Sequence, residues 1–350
     1  MQKLRLGIIG AGSVIEQYHL PVIQNIPGIQ LDWIVDDDLS RAKALTDGFG
    51  IKTRISDNID DLDDVDICLL TIPVGYRRSL AEKAFARHWN LLCEKPFAVT
   101  ADEHKWYLEK AREAKVVVGC GFMRRYYAGN VLGKKLVAAN PFGALRGIKA
   151  SQGGKLRGTG RDTDSYQIDV AAAGGGILIE TGSHVIDQIL FVTQASGFVL
   201  GDIKSPELSK SHGQQPETEI SVEAMLQLGA DKNPNSVPLA LSLSSRRDLF
   251  CGIELEFEHG FVRLGMAPDS PVTLLDRRQS KIASIVANEG AMTVYQAFYM
   301  EWVEFIEAVT RDIVLRQDNS VLASTSLLTT NLIDSVYARF RGQRQNLEAA

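Results

Sequence analysis

KLRLGIIGAGSVIEQYH, residues 3–19, is the stretch that decides the fold. Leu4 to Ile9 make a short apolar run, the pattern of a parallel strand buried on both faces. Gly10-Ala11-Gly12 then supplies a tight turn without side-chain bulk, and Ser13 to Gln17 can open a helix. Strand, turn and helix start aim backbone N–H groups and a positive dipole end at one point, which suits a pyrophosphate. Cofactor contacts are therefore expected from Gly10, Gly12, Ser13 and Val14. The third glycine position of the fingerprint holds Ile15, so the helix must pack less closely on its strand.

The next segments extend the pattern. IQLDWIVDDD, residues 29–38, reads as a second strand ending in three acids. An acid at this strand end, some twenty residues beyond the glycines, accepts hydrogen bonds from the adenosine ribose. Asp36 is the first candidate and Asp37 the second. A 2′-phosphate would meet several negative charges there and no arginine before Arg41, so NAD is preferred over NADP. One of the three aspartates also has to cap the following helix. DVDICLLTIP (64–73) is a further buried strand, with Thr71 and Pro73 at the end beside the cofactor. NLLCEKPF (90–97), the helix from Thr100 with Glu103 three residues on, and the strand in KVVVGCGFMRRYY (115–127) complete an alternation. Strands alternating with helices over 120 or so residues imply a doubly wound parallel sheet.

Beyond Tyr127 the pattern changes. A helix to Asn140 leads to the strand ALRGIKASQGG, a polar loop from Lys155 to Gln167, and a glycine-rich helix start at residues 171–191. Alternating strands follow, with a turn at His259-Gly260, and suggest an antiparallel sheet with one solvated face. Gly201 to Glu219 reads as a loop insertion, and two helices close the chain. The expected division is a dinucleotide-binding Rossmann domain, 1–122, and an α+β domain, 123–350. A chain of 350 residues suits two domains. The net charge of −5 gives no support for a nucleic-acid partner or an anionic membrane surface, and no apolar run is long enough to span a bilayer. With the chain opening directly on a strand, the cytoplasm is the expected location. The four cysteines form no CxxC pair and read as buried reduced thiols, without zinc or disulfides.

Three separated motifs then coincide: GAGSVIEQYHLP at the start, CEKPF at 93–97, and GGGILIETGSHVID at 174–187. In order and spacing the chain resembles the glucose-fructose oxidoreductase / inositol dehydrogenase / rhizopine-catabolism family, Gfo/Idh/MocA. The resemblance implies a two-domain NAD(P)-dependent oxidoreductase acting on a sugar, cyclitol or nucleotide sugar. It also implies an open sheet face on the second domain that makes a homodimer or homotetramer.

By the same resemblance, Lys95 points at the substrate beside the nicotinamide, Glu94 lies on the nicotinamide ribose, and His184 is the catalytic histidine. The chemistry is consistent, because a hydride leaves a carbinol carbon only as its hydroxyl proton departs, and a base and a cation lower that barrier. Helical spacing places Glu180, His184 and Asp187 or Gln188 on one face, so Glu180 joins Lys95 and His184 as a catalytic candidate. The family usually carries aspartate where this chain has Glu180, often histidine where it has Arg77, and often Trp-Arg near Ser165-Tyr166. Arg125 is the arginine expected at the domain junction near the cofactor. Tyr126, Arg161 and Tyr166 are candidate substrate contacts, while His19 matches a family position expected to be structural. His88, His104, His212 and His259 read as surface or turn residues. Two other functions stay open: a catalytically silent dinucleotide-binding regulatory protein, and an NAD-dependent glycoside hydrolase. Composition does not identify the sugar.

Overall fold

The run Leu4–Ile9 is strand β1, at the middle of a six-stranded sheet in the computed structural model. The structure describes residues 3–154, 170–211, 216–229, 235–311 and 319–348. Contacts divide the chain into two units, Met1–Met123 with Val294–Leu327, and Arg124–Thr293 with Leu328–Ala350. The expected division crossed once, at 122/123. Its first boundary lies one residue from the observed one, but Val294–Leu327 belongs to the first unit and not to the second.

In the first unit β1 is followed by α1 (Leu20–Ile23), β2 (Ile29–Val35), α2 (Leu39–Gly48), β3 (Arg54–Ser56), β4 (Ile67–Leu70), α3 (Arg78–Ala86), β5 (Asn90–Glu94), α4 (Ala101–Ala114) and β6 (Val118–Gly121). The strand order is β3-β2-β1-β4-β5-β6 and every pairing is parallel. Side chains alternate along each strand, so two cores form. Ile9, Cys68, Leu70, Leu91 and Cys93 enter one, with Phe85 and Tyr107 of α3 and α4. Leu6, Ile8, Ile67, Leu69 and Leu92 enter the other. That second core is closed by α2 and by the helix Val294–Thr310, which contributes Phe298, Trp302 and Phe305. A strand buried on both faces has no polar side, which is why these segments read as unbroken apolar runs. The order turns back at β1, so the chain leaves β1 and β4 in opposite directions and opens a crevice at their carboxyl ends.

In the second unit come α5 (Ala128–Ala139), β7 (Leu145–Gly153), α6 (Val170–Ala173), α7 (Ser183–Thr193), β8 (Ala195–Lys204), α8 (Pro206–Ser211), β9 (Glu219–Leu228) and β10 (Asn235–Ser244). β11 (Gly252–Phe257), β12 (Gly260–Gly265), β13 (Val272–Asp276) and β14 (Lys281–Ile285) follow. They form one eight-stranded sheet, β14-β13-β12-β11-β7-β10-β9-β8, in which only the pairing of β7 with β10 is parallel. Strict alternation in β9 and β10 places Ile220, Val222, Ala224, Leu226, Leu239 and Leu241 inside, under α7 and the helix Leu327–Glu348.

Three expectations need correction. The end of strand β8 and the whole of helix α8 occupy residues expected as the loop insertion 201–219; β8 is an edge strand with no buried position, so it lacks the apolar run that marks its neighbours. Cys251 is exposed, whereas Cys68, Cys93 and Cys120 are buried. Burial pushes the Cys93 thiol up to about 12. His104 is no surface residue. It is fully buried against Phe97, with its Nε2 bonded to the Ala323 carbonyl at 2.9 Å.

Burial lowers the His104 imidazole from 6.5 to about 4, against the opposing effect of the Ala323 bond. The unfolded chain therefore takes up a proton near pH 6.5 that the folded chain refuses until about pH 4, and stability is lost as pH falls through that window. Thermal melts of the wild-type chain and His104→Gln at pH 7.5, 5.5 and 4.5 check this. The variant should melt lower at pH 7.5 yet lose less of its stability on acidification.

Candidate functional site

Gly10 leaves β1 with φ +101°, a region closed to most L-residues, while its N–H donates to the Val35 carbonyl at 2.7 Å. A Cβ there would also come within 2.7 Å of Thr71 Oγ1, whose hydroxyl spans the Ile9 and Gly10 carbonyls at 3.0 and 3.1 Å. Around Gly12 the opposite holds: a Cβ would meet nothing within 4 Å. The first helical bonds run from Ile15 and Glu16 back to the Gly12 carbonyl, so the amides of Gly12, Ser13 and Val14 precede the helical ladder. A turn held closed at Gly10 and open at Gly12, with amides leading into a helix, fits a pyrophosphate. Ile15 itself is fully buried, and the helix accommodates it with a π-helical turn over Ile15–His19.

The three acids after β2 divide their work. Asp36 is buried; its Oδ2 accepts the Ala11 N–H at 2.6 Å and its Oδ1 accepts the Asp38 N–H at 2.9 Å and Arg41 Nη1 at 3.2 Å. Asp38 is the N-cap of α2, accepting from Ser40 N and Arg41 N. Asp37 is exposed. A carboxylate offers about four acceptor positions, so Asp36 has one beyond these three bonds.

The guanidinium of Arg77, at the position where the resembled family often carries histidine, lies at the ends of β4 and β5. It is buried, donates Nε to the Ile72 carbonyl at 2.7 Å, and gives Nη1 to the carbonyls of Glu94 and Pro96, the latter at 2.6 Å. Arg77 thus ties the Thr71-Ile72-Pro73 strand end to the Glu94-Lys95-Pro96 turn, whose Lys95–Pro96 peptide is cis. Pro73 starts the short helical turn Val74–Tyr76 that carries the arginine inward.

Glu94 ends β5 and is buried. Its Oε2 accepts the Lys95 N–H at 2.9 Å and its Oε1 lies 2.9 Å from His19 Nε2, while Trp302 Nε1 donates to His19 Nδ1 at 3.0 Å. Burial would push the Glu94 carboxyl up, but the His19 bond and the positive charges of Lys95 and Arg77 hold it below the usual range. Sequence reasoning placed His19 as structural and did not connect it to Trp302, 283 positions away. No short-range pattern signals such a pairing.

The second unit holds the remaining candidates. Arg125 is buried in a two-bond ion pair with Asp187, Nε to Oδ2 at 2.7 Å and Nη2 to Oδ1 at 2.5 Å, and Thr329 Oγ1 joins at 3.1 Å. This is a structural clamp between the start of α5 and α7. Tyr126 is buried and its carbonyl accepts the Ala291 N–H at 2.6 Å. His184 and Gln188 lie one turn apart on α7. Glu180 precedes them in a π-helical turn, Leu178–Gly182, that runs directly into α7. That turn is anchored by Glu217, a residue the sequence reading assigned to a loop. Its Oε1 accepts the Leu178 N–H and the Tyr337 hydroxyl, each at 2.8 Å, and its Oε2 accepts the Gly176 N–H at 3.2 Å. A Cβ on Gly175 or Gly176 would run into Tyr337 or Glu217, which explains the glycine run. Burial raises the Glu217 carboxyl above its ordinary value. Arg124 donates Nη1 to Gln152 Oε1 at 3.0 Å and Gln188 Oε1 at 3.2 Å. Arg124 Nε and Gln188 Nε2 are buried with no acceptor among the described residues. Arg161 and Tyr166 lie outside the described residues. Among the described residues no group of His, Cys, Asp or Glu is placed to hold a metal, and no helix is long and apolar enough to cross a membrane.

Comparison with known proteins bears on this geometry. Residues 4–134 match the profile of an oxidoreductase family with an NAD-binding Rossmann fold, GFO_IDH_MocA. The uncharacterized oxidoreductase YrbE of Bacillus subtilis is 29% identical over 193 residues, 55% of this chain and 54% of that one, so the chain spans about half the length of this relative. Glucose-6-phosphate 3-dehydrogenase of the same organism is 25% identical over 72% of this chain and 71% of that one. The 3-ketoreductase KijD10 of Actinomadura kijaniata, solved with NADP and TDP-benzene, shares the fold at a TM-score of 0.76 and 16% identity, covering 96% of this chain and 98% of that one.

The two glycines of the turn should fail differently. Gly10→Ala should lower stability by about 1–3 kcal/mol, the cost of a strained backbone plus the Thr71 contact. Gly12→Val should melt like the wild type but lose dinucleotide binding. Thermal melts together with NADH fluorescence titrations separate the two effects, and a Gly12→Val chain that binds NADH normally would exclude the pyrophosphate from this turn.

Proposed function

We propose that the chain, whose residues 4–134 match the GFO_IDH_MocA oxidoreductase profile, is an oxidoreductase of that family and moves a hydride between a nicotinamide dinucleotide and a hydroxyl or ketone of a sugar, cyclitol or nucleotide sugar. The observation that carries this is the turn after β1, closed by Thr71 at Gly10, open at Gly12, and braced through the Ala11 N–H by the buried Asp36 carboxylate. When bound, the nicotinamide supplies the hydride donor or acceptor.

The chain's own residues then have distinct tasks. Amides of Gly12, Ser13 and Val14 hold the pyrophosphate, Asp36 and Asp37 the adenosine ribose, and Glu94 the nicotinamide ribose. Thr71 and Pro73 shape the strand end beside the ring. Lys95 stabilises the alkoxide that develops as the hydride departs, and His184 accepts the hydroxyl proton. Glu180 helps to orient the reacting group, and buried donors on Arg124 and Gln188 suit substrate hydroxyls, which offer the acceptors these atoms lack. A sugar substrate agrees with the names of the relatives, one a glucose-6-phosphate 3-dehydrogenase.

A preference for NAD over NADP is supported by the acids that follow β2, which would oppose a 2′-phosphate, and by Arg41, which is paired to Asp36 at 3.2 Å and Asp38 at 3.7 Å. A homodimer or homotetramer through the exposed sheet face is supported by an apolar patch in register across three strands, Val199, Met225 and Pro238. Val199 is 57% exposed and Met225 38% exposed.

Activity against a panel of sugars and polyols with NAD and NADP tests the reading. Lys95→Met and His184→Ala should each lower kcat by roughly 100-fold or more, the usual worth of a proton-transfer group, with NADH affinity little changed. Asp36→Asn removes charge but keeps an acceptor for Ala11, and it should shift the ratio of kcat/KM toward NADP by about tenfold, equivalent to about 1.4 kcal/mol. Tight dinucleotide binding without turnover of any panel member would contradict the enzyme reading.

A further inference from the structure

The three side chains Trp302, His19 and Glu94 form a directed chain whose proton positions are dictated by its first member. An indole N–H can only donate, so His19 Nδ1, 3.0 Å from Trp302 Nε1, must accept. The imidazole then carries its proton on Nε2 and donates it to Glu94 Oε1 at 2.9 Å. A second proton, on Nδ1, would face the indole hydrogen directly and cost the Trp302 bond. The rings enforce the arrangement: Trp302 and Phe298 meet His19 edge-on, at 88° and 77°. Tyr18, on the same π-helical turn, stacks on Phe298 at 5.1 Å.

We propose that Trp302 locks His19 as the Nε2–H tautomer, so that Glu94 is presented as an ionised acceptor of fixed orientation to the dinucleotide's ribose hydroxyls. Both Trp302 and His19 are then positioning residues, acting on the cofactor through Glu94. The inference rests on the assignment of Glu94 to the nicotinamide ribose made above. Lone-pair counting supports it. With one position of Glu94 taken by His19 and one by the Lys95 N–H, two remain for a vicinal diol. The residues of the helix Val294–Thr310 whose rings meet His19, Phe298 and Trp302, are uncharged; the titratable group of that helix nearest to them in sequence is the buried Glu301, Tyr18 is held against Phe298, and the cations Arg77 and Lys95 act on Glu94.

Two measurements test this. Histidine ¹⁵N spectra of the cofactor-free chain between pH 5.5 and 8 should show His19 protonated on Nε2 alone in the wild type, and titrating in Trp302→Phe. NADH dissociation constants should change less than about twofold over the same range in the wild type. In Trp302→Phe they should weaken by about tenfold toward pH 5.5, because a doubly protonated imidazole draws the carboxylate away from the hydroxyls, an effect sized on one charge-assisted hydrogen bond. His19→Gln, which can still donate to Glu94 but has nothing to titrate, should bind without pH dependence and within about threefold of the wild type. His19→Leu should bind about tenfold more weakly at every pH while thermal melts confirm that it folds. An Nδ1–H signal in the wild type, a pH profile of Trp302→Phe parallel to the wild type, or unaltered affinity in His19→Leu would each overturn the proposal. Absence of NADH binding by the wild-type chain would instead strike the dinucleotide reading itself, while the spectra decide the lock independently.

Discussion

The buried carboxylate of Glu94 is the constraint around which the first unit is arranged. A charge taken out of water is costly unless hydrogen bonds replace the lost hydration. The chain supplies them from the His19 imidazole, at the end of the π-helical turn Ile15–His19, and from the next residue's own amide, and the positive charges of Lys95 and Arg77 add to them. Each supplier brings an element with it. Arg77 binds the ends of β4 and β5 together, His19 fixes the entry helix, and Trp302 anchors the helix Val294–Thr310 on the open side of the sheet. Replacing the carboxylate alone would leave two oriented donors, the His19 imidazole and the Lys95 N–H, without an acceptor, which is worse than losing one contact.

The same logic runs through the second unit with different actors. Glu217 is a buried carboxylate that accepts two amides and a phenol at the start of a helix, and Asp187 is one that accepts a whole guanidinium. Glu217 holds the amides of Gly176 and Leu178 where the glycine-rich turn leads toward His184, and Asp187 lies on α7 one turn beyond that histidine.

Much of the first unit was legible in the sequence because its signals are local. Apolar runs of four to six residues, a glycine pair and an acid some twenty residues on describe β1, the turn and Asp36 without reference to the rest of the chain. The Asp38 cap and the Thr100 cap follow from helix-start chemistry in the same way. What escaped was non-local. Nothing near Trp302 marks it as the partner of His19, and its helix, apolar on one side, fits either unit equally well by pattern. β8 escaped because an edge strand buries little and shows little periodicity. His104 escaped because a lone histidine on a polar-looking helix gives no sign that the segment around Ala323 will cover it. The spacing of Glu180 and His184 assumes 3.6 residues per turn, and the sequence gives no sign that Glu180 lies in a π-helical turn, Leu178–Gly182.

The central claim is that Glu94, Asp36 and the Gly12 turn are three fixed points along one extended dinucleotide. A crystal structure of the full chain grown with NAD tests it most directly. The account predicts the pyrophosphate on the Gly12, Ser13 and Val14 amides, the adenosine ribose on Asp36, and the other ribose within hydrogen-bond distance, about 3 Å, of Glu94. A dinucleotide bound with Glu94 still turned wholly to His19 and Lys95 and touching no ribose oxygen would contradict it.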